Sequence, residues 1–383
     1  MKDRVICFAT DRKSESSSRR QKYYGPFRSD KLVFGSYRSI DIGEPRLEHL
    51  NGVSAFPIEP DTRVLVFVHG FNSRFDVEAK LMLELSDSIA SPDTLLILYS
   101  WPSMGSPFAY MQDECSVQYS YSHFKEFLDE LSRRLDDPAR LHLVAHSLGC
   151  QIVYRYIMEK VDAGKGQVAG TVVMSCPDLD YQTVSRDRER QRFAASIERG
   201  FILVSDVDAP LEISRALHGY TRLGRPSLSS ARSLFWGTFR TGSIPNIIST
   251  AAHAPELIAR RAIGRIRNGF KDPDKLWQKE NKEKGIAFAD NVHLYDFTVA
   301  DVKQRRLGHS VCIELISSLY RNGGPPSEWS EEEVVKMPDE FVECTILPYS
   351  RSQPYGEEEQ KLFLYKRVSP PRKRGRKNPV DSA

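Results

Sequence analysis

The sequence predicts an α/β fold with a mostly parallel central sheet that is flanked by helices. Strand-like and helix-like segments alternate along the chain, which is the order that a parallel sheet with crossover helices requires. Most of the inner strand segments are continuous apolar runs, as is typical of strands that are covered on both faces. Both observations favour one large domain, and α/β domains often reach a length such as these 383 residues.

The expected strands are short apolar or alternating segments. They lie at residues 5–9, 36–42, 63–68, 94–100, 140–145, 170–175, 201–205 and 292–298. The clearest helix is expected at 115–135, where apolar residues recur at spacings of three and four and form one stripe. Further helices are expected at 148–161 and 311–320. The segment 11–28 is rich in Ser, Arg and Lys, and we predict a mobile loop there between the first two strands.

Composition excludes several classes of protein. The chain is 40% hydrophobic and 27% charged, which is ordinary for a soluble globular protein. Its net charge of +3 does not by itself indicate nucleic-acid binding. No run approaches the ~18 apolar residues that a membrane span needs, and the first residues lack the apolar segment of a secretory signal. We therefore expect a cytoplasmic protein without a transmembrane segment.

The cysteines and the known binding motifs point to no metal and no cofactor. Six cysteines are scattered along the sequence without a Cys-x-x-Cys pair, which argues against a zinc site and against a disulfide framework. Neither a phosphate-binding P-loop nor a His-Glu-x-x-His motif is present in the sequence. We expect reduced thiols and a chemistry that requires no metal and no cofactor.

Ser147 is the most informative residue of the sequence. The apolar run 141–145 breaks at this serine and continues as a helix-like segment, which is the pattern of a nucleophile elbow. The elbow needs small residues two positions before and two positions after the serine, and these are Ala145 and Gly149. Alanine adds a methyl group at the crowded point, since glycine is usual there. We predict that Ser147 is a catalytic nucleophile.

A second segment supplies candidate oxyanion-hole donors. The apolar run 64–68 ends in His69-Gly70-Phe71, where an α/β-hydrolase places the loop that donates one backbone N–H. We expect Phe71 to donate one amide and Leu148 to donate the other. Each donor is worth ~2.7–4 kcal/mol in the transition state. His69 is expected to hold the loop by hydrogen bonds.

His309 is the candidate general base. It follows the strand candidate 292–298 and a polar loop, and a helix-like segment begins directly after it. The order Ser, acid, His along the chain is the α/β-hydrolase order. The chain has nine histidines, so the strand-loop-helix setting carries the weight, and we predict His309 as the base over a surface loop histidine.

The acid is an aspartate that follows one of two strands. Asp208 lies after the apolar run 201–204 and just before Ala-Pro and a short helical run, with Asp206 beside it. Asp178 and Asp180 follow the strand before that one. An aspartate before a helix is also a common N-cap, which needs no catalytic role. We rank Asp208 first and Asp178 second.

Spaced motifs along the chain carry a family resemblance. They are 8–12 (Phe-Ala-Thr-Asp-Arg), 32–35 (Leu-Val-Phe-Gly), 69–72 (His-Gly-Phe-Asn), 100–105 (Ser-Trp-Pro-Ser-Met-Gly), Tyr110, Asp113, 145–149, 176–178 (Cys-Pro-Asp), 205–211 and 308–310. With these motifs in this order, the chain resembles the bacterial α/β-hydrolases of unknown function called DUF900, which are predicted to be esterase- or lipase-like. The resemblance implies the α/β-hydrolase fold and supplies no substrate.

These residues together predict a serine hydrolase. Ser147 would attack a carboxylic ester, His309 would take its proton, Asp208 would stabilise the imidazolium, and water would release the acyl-enzyme. The substrate would be a small-molecule or lipid-like acyl compound, and Ser103 and Tyr110 would line its approach. An amidase or acyltransferase on the same triad remains open, as does an interaction module of defence or signalling that keeps the fold.

The domain organisation includes a long insertion before the last strand. The hydrolase domain is expected at 1–324, and the insertion at 225–291 is far longer than an ordinary connection. Its basic amphipathic stretch, 257–267, carries isoleucines and arginines that could form two faces. The insertion is either a lid beside the site or a helical cover of the sheet edge, and its arginines could meet an anionic surface or partner.

The C-terminal part continues beyond the hydrolase domain. An extension is expected at 325–368 and a basic, disordered tail at 369–383. The cluster 372–377 could bind a phosphate backbone. We favour a solvated tail over nucleic-acid contact, because isolated basic runs bind only weakly. The sequence leaves the oligomeric state open.

Overall fold

A computed structural model of the chain describes its sheet, most of its helices and the candidate site residues. The described residues are 4–16, 22–39, 46–184, 186–205, 208–225, 290–297, 309, 311–329 and 335–336. Ten strands within them form one sheet. The strands are β1 Arg4–Ser16, β2 Lys22–Ser39, β3 Arg46–Leu50, β4 Arg63–Val68, β5 Thr94–Ser100, β6 Leu141–His146, β7 Ala169–Ser175, β8 Ile197–Val204, β9 Val292–Asp296 and β10 Val335–Lys336.

The sheet is mostly parallel, which confirms the predicted fold class. Its strand order is β10-β9-β8-β7-β6-β4-β5-β1-β2-β3. All neighbours from β9 to β1 run parallel, whereas the pairs β1–β2, β2–β3 and β9–β10 are antiparallel. Every residue of β6 and β7 is buried, in agreement with strands covered by helices on both faces.

Seven α-helices within the described residues flank the sheet. They are α1 Phe75–Ile89, α2 Tyr110–Arg134, α3 Gly149–Asp162, α4 Tyr181–Val184, α5 Asp187–Ala195, α6 Ala209–His218 and α7 Ile313–Asn322. Helix α2 buries its predicted apolar stripe but begins five residues before the predicted start at 115. Its first turn contains Tyr110 and Asp113, which are buried through polar contacts that a pattern of apolar residues cannot register.

The helices cover two apolar cores, one on each face of the sheet. Alternate residues of β4 point to opposite faces, so that Val66 lies in one core and Phe67 in the other. The first core includes Phe124 of α2 and the second includes Leu315 of α7. No helix within the described residues is long and apolar enough to span a membrane.

The predicted mobile loop at 11–28 is wrong. Strand β1 continues to Ser16 and β2 begins at Lys22, so most of this segment is an antiparallel ribbon. Asp11 and Arg12 are 0% and 1% exposed, because the protein interior supplies hydrogen-bond partners to the Arg12 guanidinium. The short strands β3 and β10, at the two edges of the sheet, were not predicted from the sequence.

Several predicted segments lie outside the described residues. These are nearly all of the insertion 225–291, most of the extension 325–368, and the tail 369–383 with its basic cluster. Asp206 and the two neighbours of His309 also lie outside them. The domain boundaries therefore stay predictions. The strands β4, β6 and β8 run parallel, so their carboxyl ends lie on the same side of the sheet, where open α/β folds bind ligands.

Candidate active site

Ser147 occupies a sharp turn between β6 and α3. Its φ is +51°, a left-handed value that a serine adopts only when the surroundings impose it, at a cost of roughly 1–3 kcal/mol. Its N–H donates to Ser175 O at 3.0 Å, and its carbonyl accepts from Cys150 N at 3.0 Å and from Asp178 N at 3.2 Å. The turn is therefore pinned from β7 and from α3, as expected of a nucleophile elbow.

Two glycines bring the end of β4 against this turn. A Cβ on Gly149 would lie 2.4 Å from His69 O, and a Cβ on Gly70 would lie 2.8 Å from Ser147 Cβ. Neither position has room for a side chain, so the loop after β4 packs backbone against backbone on the turn. The methyl group of Ala145 is buried in the core and is accommodated there.

Within the described part of the chain, the backbone N–H groups of Phe71 and Leu148, the two candidate oxyanion donors, have no hydrogen-bond acceptor. Among the hydrogen bonds between described residues, none uses either N–H as its donor. Leu148 is the N-cap of α3, where helix geometry leaves the N–H groups without a partner inside the helix. Phe71 follows Gly70, whose backbone lies against Ser147. Two unpaired donors thus lie on the two segments that meet at the serine.

His309 joins Ser147 to Asp208. Its Nδ1 is 2.7 Å from Asp208 Oδ2 and its Nε2 is 2.9 Å from Ser147 Oγ. The carboxylate can only accept, so Nδ1 carries the proton and Nε2 is left to accept from the serine hydroxyl. The side chains of Asp208 and His309 are 0% and 11% exposed. This arrangement places a hydroxyl, an imidazole and a carboxylate in one series of hydrogen bonds, which is the contact pattern that an activated nucleophile requires.

Asp208 is both the N-cap of α6 and the partner of His309. Its Oδ1 accepts from Leu211 N at 2.9 Å, while Oδ2 faces the imidazole. Its carbonyl accepts from Arg225 at 3.1 Å, and Arg225 also contacts Glu212 at 3.2 Å. The N-cap interpretation and the orienting-acid interpretation are therefore compatible, because each uses a different oxygen.

Asp178, the second choice for the acid, lies in a separate network. Its carboxylate accepts from Arg222 Nε at 2.5 Å, from Tyr110 OH at 2.6 Å and from Ser214 Oγ at 2.7 Å. None of the hydrogen bonds within the described part of the chain joins it to His309. The Asp178–Arg222 ion pair is almost fully buried. Asp180 instead caps the start of α4 by accepting from Gln182 N.

Tyr110 and Ser103, which were predicted to line the approach of the substrate to Ser147, are both buried in the protein interior. Ser103 is 1% exposed and donates to Asp113 at 2.5 Å. The Tyr110 hydroxyl bonds Asp178, and its ring lies 5.4 Å from the ring of Phe71. Tyr110 therefore contacts the loop after β4 through the ring of Phe71. Ser103 supports the same loop by accepting a hydrogen bond from Ser73 N.

His146 and Cys176 are two neighbours of the site to which the sequence assigned no role. Burial, and then the nearby His309 and His69, lower the pKa of His146 well below its ordinary value, so the ring is neutral. The ring lies 4.9 Å from that of His309. Cys176 has a φ of +45°, the same left-handed geometry as the serine. Their positions directly before the serine and at the end of β7 were the only sequence signal.

One group of side chains in the described residues has a spacing that could suit a metal ion. Atoms of Cys176, Asp208 and His309 all lie within 4.8 Å of one another. The 2.7 Å contact between Asp208 and His309 is a hydrogen-bond distance, and a shared ion would have to separate these two atoms. The geometry is that of a carboxylate hydrogen-bonded to an imidazole, with a thiol beside them.

Solved structures similar in fold include three esterases. A thermostable carboxylesterase from a metagenomic library (EstE1) is 12% identical, with a TM-score of 0.25 over 39% of this chain and 44% of that one. An esterase from the archaeon Pyrobaculum calidifontis is 10% identical, with a TM-score of 0.29 over 55% and 70%. A bacterial heroin esterase is 14% identical, with a TM-score of 0.28 over 56% and 71%. These similarities carry no inference about activity.

The family comparison concerns the central part of the chain. No curated protein matches the sequence. Residues 51–234 match the family model described as an alpha/beta hydrolase of unknown function, DUF900. The matched segment runs from before β4 to beyond α6, and it contains Phe71, Ser147, Leu148 and Asp208. This match confirms the resemblance that the motifs predicted, and it covers residues 51–234 of the 383 in the chain.

Proposed function

We propose that this protein is a serine hydrolase that cleaves a carboxylic ester through an acyl-enzyme. The observation that carries the proposal is the hydrogen-bond chain from Asp208 through His309 to Ser147, with distances of 2.7 Å and 2.9 Å. It meets the geometric requirement for an activated nucleophile, namely a base within reach of the hydroxyl and a third group that orients the base.

The first step forms the acyl-enzyme. Ser147 Oγ attacks the carbonyl carbon while His309 Nε2 takes the hydroxyl proton. The carboxylate of Asp208 stabilises the imidazolium and keeps Nε2 directed at the serine. The bond from the carbonyl carbon to the alcohol oxygen then breaks, and His309 returns the proton to the departing alcohol. An ester now joins the acyl group to Ser147.

The second step reverses these roles with water. His309 takes a proton from water as the oxygen attacks the acyl carbon, and then returns a proton to Ser147 as the acid leaves. In both steps the carbonyl oxygen becomes an oxyanion. The unpaired N–H groups of Phe71 and Leu148 would bind it, and the loss of one such donor costs about 2.7–4 kcal/mol of the barrier.

An acyl ester is compatible with the chemistry of the site. We propose a small-molecule or lipid-like acyl ester, because an alkoxide leaves readily once His309 protonates it. The half-buried ring of Phe71 packs on Tyr110 beside the candidate donors and offers an apolar contact to such a group. An amide substrate or transfer to a second alcohol would use the same three residues.

The test is covalent labelling of the purified protein with a fluorophosphonate probe, followed by peptide mapping. Labelling is expected at Ser147 and is expected to be lost in Ser147→Ala and His309→Ala. Ser120→Ala is the matched control, since it removes a buried serine of α2 away from the triad. Turnover of a series of esters of rising chain length should fall ~10⁴–10⁶-fold in Ser147→Ala. A folded wild-type protein that is not labelled at Ser147 would contradict the proposal.

A further inference from the structure

The guanidinium of Arg12 connects the N-terminal ribbon to the loops behind the candidate oxyanion hole. Arg12 lies in β1 and is 1% exposed. All of its hydrogen-bond acceptors are uncharged, and they belong to β2, to the end of β5 and to the loops after β4 and β5. They are Ser100 Oγ at 2.9 Å, Gly25 O at 3.3 Å, Ser103 O at 3.0 Å, Ser73 O at 3.0 Å and His69 Nε2 at 3.3 Å.

Burial of the Arg12 cation costs desolvation free energy. A buried cation without a directly bonded carboxylate loses hydration that neutral acceptors replace only in part. Burial lowers the pKa of Arg12 to about 10, and the largest opposing influence is the charge of the Asp113 carboxylate. The side chain therefore still carries its charge at neutral pH. A full positive charge is held in the interior, in contact with the loop that follows β4.

His69 connects Arg12 to the Gly70–Phe71 peptide unit through hydrogen bonds. The Phe71 N–H belongs to this unit. Burial and the Arg12 charge lower the pKa of His69 to about 3, so the ring is neutral. Its Nδ1 lies 2.8 Å from Gly70 O, and its Nε2 lies 3.3 Å from Arg12 Nη2 and 3.1 Å from Trp101 O. Because the guanidinium can only donate, we assign the tautomer in which Nε2 accepts from Arg12 and Nδ1–H donates to Gly70 O. Gly70 C=O and Phe71 N–H belong to one peptide unit. A hydrogen bond to that carbonyl polarises the unit and makes its N–H a stronger donor.

The far side of the same loop is fixed by Asp113. Its Oδ2 accepts from Asn72 N at 3.0 Å, and Ser103 Oγ, which bonds Asp113, accepts from Ser73 N at 2.9 Å. Asn72 has a φ of +58°, a left-handed conformation that needs such support. The peptide unit of Phe71 thus has two supports. On one side is the series of hydrogen bonds from Arg12 through His69 to Gly70 O, called here the Arg12–His69 relay, and on the other are the contacts of Asp113.

We propose that Arg12 is a positioning residue of the oxyanion hole, which acts through His69 to orient and polarise the Phe71 N–H. This inference rests on the proposed function, because it assigns Phe71 to the oxyanion. It is separate from the triad, since Arg12 makes no contact with Ser147, His309 or Asp208 among the hydrogen bonds of the described residues. It also gives the N-terminal ribbon, through the buried Arg12, a role in the chemistry.

The experiment compares Arg12→Met with His69→Phe, which keeps the ring that stacks on Trp101 at 4.6 Å. The kcat per active serine, counted by fluorophosphonate titration to completion, should fall about 10–100-fold in each variant, less than the ~10²–10³-fold that complete loss of an oxyanion donor costs. The KM should change less than about threefold, and the inhibition constant of a trifluoromethyl ketone should rise in parallel with the loss of kcat. The double variant should lose little more than either single variant, because both interrupt one relay.

Arg140→Met is the matched control. Arg140 also donates three hydrogen bonds to backbone carbonyls, those of Glu59 and Thr62, but it lies at the opposite end of β6. It should lower Tm and leave the kcat per active serine unchanged. If Arg12→Met and His69→Phe likewise lower Tm without changing kcat or the inhibition constant, the relay is only structural and the inference is overturned.

A second readout needs no turnover. In protein labelled with ¹⁵N-phenylalanine, the amide resonance of Phe71, assigned by its loss in Phe71→Leu, should move in Arg12→Met and in His69→Phe. An unchanged Phe71 resonance in both folded variants overturns the inference even if wild-type protein shows no esterase activity. Absence of labelling at Ser147 in wild-type protein would instead contradict the proposed function alone. Should Arg12→Met fail to fold, His69→Phe gives the same readouts with the cation in place.

Discussion

The serine half of the candidate site and its acid–base half are held in place by different means. On the serine side, backbone packs directly on backbone, because Gly70 and Gly149 leave no space between β4 and the turn at Ser147. On the acid–base side, side chains do the positioning, because Asp208 caps α6 and is held through its carbonyl by Arg225. The serine side therefore tolerates almost no added volume, whereas the acid–base side depends on individual hydrogen bonds.

The two halves also differ in how they hold charge. The serine side surrounds the cation of Arg12 with neutral acceptors and keeps His69 and His146 neutral. The acid–base side pairs its charges, since Arg225 contacts Glu212 and the nearby Asp178 is bonded to Arg222. Removing one member of a buried charge pair should therefore lower stability first. Substitutions at residues that contact the triad or the candidate oxyanion donors should lower the rate.

The largest expected effect comes from exchanging the two candidate acids for their amides. Asp208→Asn should lower kcat ~10³–10⁴-fold, because an amide can hold His309 in the wrong tautomer. Asp178→Asn should instead cost about 3–5 kcal/mol of unfolding free energy, because it leaves the buried Arg222 without its charged partner. Kinetics per titrated serine and urea unfolding separate the two effects. Equal losses of kcat in both variants would remove the distinction between the acids.

A smaller effect is expected from one methyl group on the serine side. In Gly70→Ala the new Cβ would lie 2.7 Å from His146 Nδ1 and 2.8 Å from Ser147 Cβ. The loop or the serine must move, and a displacement of about 1 Å at a reacting group can cost 10²-fold in rate. Gly166→Ala is the control, because nothing lies within 4 Å of its Cβ. Wild-type kcat in Gly70→Ala would show that the packing at this turn is looser than the distances indicate.

The serine half was also the half that the sequence predicted more directly. The elbow is contiguous in the chain, so its strand, its small residues and its helix are visible together. The choice between Asp208 and Asp178 depends on which carboxylate reaches His309, and that is a tertiary contact separated by many residues. Both aspartates follow strands, so no local pattern could rank them with certainty.

The prediction from the sequence was wrong at the segment 11–28, where the charged side chain of Arg12 is buried. The segment 11–28 is polar in composition, and polarity ordinarily indicates solvent. Arg12 is buried because distant loops supply its acceptors, and no periodicity encodes such partners. The lid or cover role of 225–291, the basic cluster 372–377 and the cytoplasmic location stay predictions.

The smallest expected effect concerns the far end of α6. His218 Nε2 lies 2.8 Å from Glu114, and its Nδ1 lies 2.8 Å from Ser214 O. The hydrogen bond to Glu114 raises the pKa of His218, although burial and the charge of Arg222 oppose this. A raised pKa in the folded state means that the protonated ring contributes stability, which is fully present below the unfolded value of 6.5 and is lost as pH rises through the raised pKa.

His218→Gln should therefore destabilise the protein most at low pH. The difference in Tm between wild type and variant should be largest at about pH 6 and should shrink towards about pH 9 as the wild-type ring loses its proton. Thermal unfolding of both proteins across this range measures it, with Glu114→Gln expected to remove most of the same pH dependence. A difference that grows with pH would mean that His218 is neutral in the fold. Because Asp208 caps the same helix ten residues earlier, a loosened α6 should lower kcat only a few-fold, far less than loss of the Asp208 carboxylate.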